Sequence, residues 1–176
     1  MACDIIGLGR KEPCKDQVGG IQEVYFINFG DLGTPVYDVT DTDVIASFDS
    51  GLDPINAYKY EVRGSSTFTQ NIQSSKENGT TAFEHVLELT LKKLTKEDHK
   101  EIKNISYSRP HVVVKDYNGN FFIAGLENGL EVTAGTIVTG TNFNDLSGYT
   151  LTMSGMERVP SNFITDMASF TVVEGA

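Results

Sequence analysis

HVVVKDYNGNFFIAGLENGLEVTAGTIVT, residues 111–139, decides how this chain folds. Two Asn-Gly pairs, Asn118-Gly119 and Asn128-Gly129, stand between runs rich in valine, phenylalanine and threonine. Asn-Gly readily supplies the two positive φ angles of a type I′ turn, whose twist matches that of the antiparallel strands it joins. The stretch therefore predicts a meander of three strands, His111 to Asp116, Phe121 to Leu126 and Leu130 to Thr139. Gly125 marks a bulge or a close backbone approach in the middle one. A third pair, Asn78-Gly79, predicts another hairpin upstream.

Downstream, Tyr149, Leu151 and Met153 alternate with Thr150, Thr152 and Ser154, the period-two pattern of a strand with one dry and one polar face. Upstream, strands are expected at Gln22 to Phe29, Val44 to Phe48, Ile55 to Val62 and Ser66 to Ser74. The segment TFTQNIQSS (67–75) is polar apart from Phe68 and Ile72, which suits an exposed hairpin arm.

TTAFEHVLELTLKKL (80–94) fits two periods. As a strand it puts Phe83, His85, Leu87, Leu89 and Leu91 on one face. As a helix it makes a stripe of Phe83, Val86, Leu87, Leu91 and Leu94. We read a strand, because a strand completes the hairpin opened at Asn78-Gly79.

One helix is expected from about residue 95 to 106. Thr95 is a good N-cap, and Glu97 and Asp98 place negative charge in the first turn. Ile102 and Ile105 make only a narrow apolar stripe, so the helix should lie on the outside of a sheet. Arg109-Pro110 closes the segment. After Pro160 a final strand at Ser169 to Val173 would be either a tail or a strand donated to a neighbour.

The 176 residues fit one core. The expected organisation is an N-terminal arm over 1–20, a β domain over 21–160 and a C-terminal arm or edge strand over 161–176. The fold class is mainly β: an antiparallel sandwich or small barrel with one flanking helix and extended hairpin arms. The net charge of -10 argues against a groove that grips nucleic-acid phosphates. No run reaches the roughly 18 apolar residues of a membrane span, and no signal-like stretch opens the chain, which predicts a soluble protein made in a cytoplasm.

Few residues suggest chemistry. Cys3 and Cys14 have neither CxxC spacing nor zinc-ligand spacing, and His85, His99 and His111 come from distant segments. Gly7-Leu8-Gly9-Arg10 lacks the strand and the further glycine of a dinucleotide loop. Asp38, Asp41 and Asp43 read as a solvated loop, and Asp116 to Asn120 as a turn, since no calcium-loop spacing is met. Phe48-Asp49-Ser50-Gly51 resembles the signature of aspartic proteases, with Ile123-Ala124-Gly125 as a conceivable second element, so a retroviral-type protease using Asp49 is the one enzyme reading. Asp-Ser-Gly is also an ordinary turn, and Asp53-Pro54 follows it. No catalytic, cofactor or metal residue is assigned on this basis, and no enzyme is expected.

The runs CKDQVGGIQEVYFINF (14–29) and RPHVVVKDYNGNFFIAGLENGLEVTAGTIVTGTNFNDLSGYTLTMSGMERVPSNF (109–163) resemble virion structural proteins of tailed phages, of the tail tube or major tail protein kind. The resemblance implies a β-sandwich or barrel with one helix, related to the type VI secretion tube. It further implies a homo-oligomer of stacked rings, commonly hexameric, that contacts other tail proteins and passes DNA without binding it specifically. The virion tail would be its location, after synthesis in the host cytoplasm and without membrane contact. A head decoration, tail-ring or attachment module is the alternative. An acidic conduit wall would let DNA slide.

Overall fold

The computed structural model describes residues 6–51 and 54–175. In chain order these form β1 (Ile21–Ile27), β2 (Thr34–Tyr37), β3 (Val44–Asp49), β4 (Ile55–Glu61), β5 (Thr67–Ser75), β6 (Thr80–Lys92), α1 (Lys96–Tyr107) and β7 (His111–Asp116). There follow β8 (Phe121–Ala124), β9 (Glu131–Val138), β10 (Gly148–Glu157), β11 (Phe163–Ile164) and β12 (Phe170–Val173). The protein is mainly β with one helix: a large sheet curled into an open half-barrel, and a second, smaller sheet.

The large sheet runs β12-β4-β1-β7-β8-β11-β3-β2, and the small one β5-β6-β10-β9. Side chains alternate across a strand, so one strand can feed two cores. Val24 and Phe26 of β1 and Val112 and Val114 of β7 meet Leu87, Leu89, Leu151 and Met153 of the small sheet. Their neighbours Tyr25, Ile27 and Val113 point the other way, into the curl, with Ile45, Phe48, Ile55, Ile123 and Phe170. Burial on both faces explains why VYFI and HVVV read as unbroken apolar runs.

Residues 80–92 are a strand, paired with β5 from Thr80 to Glu88 and with β10 from Phe83 to Lys92. The helix starts where its cap was read, with the Thr95 side chain accepting from the Asp98 N–H at 3.0 Å. It does not lie outside a sheet. Ile102 and Ile105 are buried in the layer between the sheets, beside Tyr60, Leu91 and Leu94, so α1 closes one margin of that layer.

The Asn-Gly turns need correction. None has two positive φ angles, because only the glycine of each pair is left-handed. Ser75 pairs with Thr80 across a loop of four residues, and Lys115 pairs with Phe121 across a loop closed by Asp116 N–H to Asn120 O. Asn128-Gly129 forms no hairpin. β8 pairs with β7 and β11, whereas β9 pairs with β10 in the other sheet, so the meander breaks there and the chain crosses between sheets. Gly125 and Gly129, both left-handed and joined by Gly129 N–H to Gly125 O, turn it away.

Beyond residue 160 the chain pairs with strands of its own fold. β11 enters the large sheet between β8 and β3, and β12 forms its edge on β4. β11 on β3 and β12 on β4 are parallel, so the sheet is not purely antiparallel. β2 and β11 were not foreseen; each is too short to carry a periodic signal.

Candidate functional site

The most organised polar constellation surrounds the crossover at residues 125–129. The Gly125 N–H points at His85 Nδ1 (3.4 Å), and the Gly125 carbonyl lies 2.6 Å from His111 Nδ1. A carbonyl only accepts, so His111 carries its proton on Nδ1 and its Nε2 faces the Gly30 N–H at 3.4 Å. His85, accepting at Nδ1, must carry its proton on Nε2. The N–H and the carbonyl of one glycine thus select opposite tautomers in two rings.

His85 is only 1% exposed, and its Nε2 has no well-formed partner. Burial pushes both histidines below the ordinary imidazole range. The backbone of Val159 opposes this for His85, and the Gly125 carbonyl does so for His111, but weakly. Phe29 stacks on the His111 ring at 5.0 Å, and the Arg109 guanidinium lies 3.8 Å from the Phe29 ring centre.

The buried Glu157 carboxylate completes the constellation by accepting from Asn128 N–H (3.0 Å) and Glu127 N–H (3.3 Å). Burial raises its pKa despite those bonds. Arg158 forks onto Glu127 at 2.9 and 2.6 Å outside it. His85, His111 and Glu157 each contact the crossover backbone. Its chemistry is to hold the two sheets together at one point.

The other sequence candidates are scattered. His99 is exposed on α1, its ring 6.3 Å from that of Tyr149. Asp38 and Asp41 cap their own loop, accepting from Thr40 and Asp43. Asp116 accepts from Asn118 and Asn120, which hold its pKa below the ordinary value although burial alone would raise it. Cys14 is an exposed free thiol, and Cys3 lies outside the described residues. Among the described residues no group of three or more His, Cys, Asp or Glu side chains is arranged to hold a metal ion.

The two halves of the protease-like pattern are not brought together. β11 pairs parallel to β3 at Val44 and Ile45, and antiparallel to β8 at Phe122 and Phe121. Moving along β3 to Asp49 therefore runs toward the β7–β8 turn, while Ile123-Ala124-Gly125 runs the opposite way. Asp53 lies outside the described residues.

The surface carries a second kind of feature. All four edge strands expose large apolar side chains: Ile72 on β5, Ile137 on β9, Val36 and Tyr37 on β2, Val172 and Val173 on β12. Residues 6–19 form neither helix nor strand and are exposed, tied near their end by Val18 to the Asn118 side chain at 3.1 and 2.8 Å. Phe143, in the β9–β10 loop, is also fully exposed.

The chain matches no family model, no curated protein and no solved structure. Its reading therefore rests on its own geometry. Among the described residues no helix is long and apolar enough to cross a membrane. The sequence hinted at Gly125 but not at its partners, since His85, His111 and Glu157 stand 40, 14 and 32 residues away from it. His85 on an apolar strand face and His111 beside a proline each read as a structural histidine.

Proposed function

We propose that this chain is a virion structural protein that self-assembles, with a phage tail tube subunit as the specific role. The observation that carries the proposal is the set of four open edges, each bearing exposed apolar side chains, together with an exposed arm over 6–19 that carries Ile6 and Leu8 beside Arg10 and Lys11. Unpaired edge N–H and C=O groups beside apolar side chains are completed most simply by another strand or another copy. A ring of such subunits, of which six is the expected number, would stack into a conduit.

The charge of -10 suits a wall along which DNA slides. A head decoration or attachment module would use the same edges on a different lattice; copy number and position in an intact particle separate the two roles. Negative-stain microscopy of the purified chain should show rings or tubes of uniform diameter, and isolated monomers at every concentration would remove the proposal.

A further inference from the structure

Between α1 and the β4–β12 margin of the large sheet runs an open groove of about 970 Å³. It arises because the eight-stranded sheet is wider than the four-stranded one that packs on it. Tyr58, Tyr60, Phe26 and Val173 are among its lining residues, and Glu97, Asp98 and Glu101 line it from the helix. None of these three carboxylates is in an ion pair among the described residues; the ion pairs belong to Lys59, Lys115 and Arg158. Lys59 is engaged by Glu23, Glu61 and Glu174, which leaves Lys92 as the one cation without an ion pair among the described residues that line the groove, and an acidic excess on the helix side. Glu101 and Asp98 act on the Tyr60 hydroxyl: burial first, then these two charges, push its pKa up to about 12.

The same chain carries a complementary segment. Ile6-Gly7-Leu8-Gly9-Arg10-Lys11 pairs two apolar side chains, 94% and 91% exposed, with two cations. It leaves the body at Val18, beside Asn118. That is the Ile21 end of β1, whereas the groove lies at the Phe26–Asn28 end. Extended at ~3.3 Å per residue, positions 6–18 span roughly 40 Å, and they stand exposed with none of them among the residues that line their own groove.

We propose that this groove receives the N-terminal arm of a second copy of the chain, with Ile6 and Leu8 on Tyr58, Tyr60 and Val173 and with Arg10 and Lys11 against Glu97, Asp98 and Glu101. The inference rests on the self-assembly reading but can fail separately from it. Docking covers side chains that otherwise sit in water on both surfaces, and pairs cations with carboxylates that lack them.

The test uses the full chain with Leu8→p-benzoylphenylalanine, mixed in ¹⁴N and ¹⁵N forms, irradiated and mapped by mass spectrometry alongside light scattering. The expected result is heavy–light cross-links onto Tyr58, Tyr60 or α1. In parallel, Glu97→Lys with Glu101→Lys should raise the concentration of half-assembly at least tenfold, and adding Arg10→Glu with Lys11→Glu should bring it back to within about threefold. Cross-links confined to one isotope, or to another surface, overturn the inference. So does assembly indifferent to both charge reversals, which leaves the assembly reading standing. A chain that scatters as a monomer yet yields heavy–light cross-links in the groove keeps the docking and sinks the ring. A monomer without them sinks both.

Discussion

A methyl group on Gly129 would overlap the carbonyl oxygen of Arg109, and its φ of 75° already lies where side chains are costly. Gly79 has a similar φ of 63° but open space around it. Gly129→Ala should therefore destabilise by about 2–4 kcal/mol, and Gly79→Ala by only about 1 kcal/mol, in denaturant titrations. Equal losses would mean that the crossover is not the tight point described. The histidines beside it make stability depend on pH. Their folded pKa values are depressed, so the folded state takes up protons less readily than the unfolded chain does. Their contribution is full above the unfolded imidazole pKa of about 6.5 and is lost as pH falls through the lower folded values. Protonation also turns His85 Nδ1 and His111 Nε2 from acceptors into donors, each facing an N–H. Glu157 works in the opposite sense, because its raised pKa lets it accept a proton more readily when folded. The melting temperature should drop between pH 7.5 and pH 5, and His85→Gln should flatten that slope; an unchanged slope would remove His85 from the account.

The elements most legible in the sequence were those whose pattern is local. The Tyr149–Met153 alternation, the Thr95 cap and the apolar runs of β1 and β7 each follow from nearest neighbours in the chain. Residues 80–92 are ambiguous by period, and the hairpin at Asn78-Gly79 decides for a strand, which pairs with β5 from Thr80 to Glu88. The failure at Asn128-Gly129 is instructive because nothing local distinguishes it from a hairpin. Its difference lies in β11, whose two residues take the edge of β8 that β9 would have used. The candidate crossover site was hidden for the same reason, being built from partners far apart in the chain. Thr95→Ala should cost about 1 kcal/mol by removing the cap, and Ile105→Ala about 2–4 kcal/mol by opening a cavity where α1 meets both sheets. Thermal unfolding of the two variants checks the order. An Ile105 variant as stable as the Thr95 variant would place α1 outside the core after all.

For the whole molecule, two cores share β1 and β7, and the sheets that enclose them end in four open edges. That geometry leaves edge strands whose outer sides pair with no other strand among the described residues. Ile72, 71% exposed at the middle of β5, is the plainest apolar side chain on them. Ile72→Lys should leave the melting temperature of the dilute subunit within about 1–2 °C, because the site is exposed, while weakening association. A large loss of subunit stability would instead make β5 part of the core. The proposed assembly uses the edges and the arm to join other copies of this chain. Sedimentation velocity of the purified full chain, from micromolar to near-millimolar concentration, tests it most directly. Self-assembly gives a concentration-dependent shift to a discrete closed oligomer and then to longer assemblies; a single 19.3 kDa species across the whole range would rule it out.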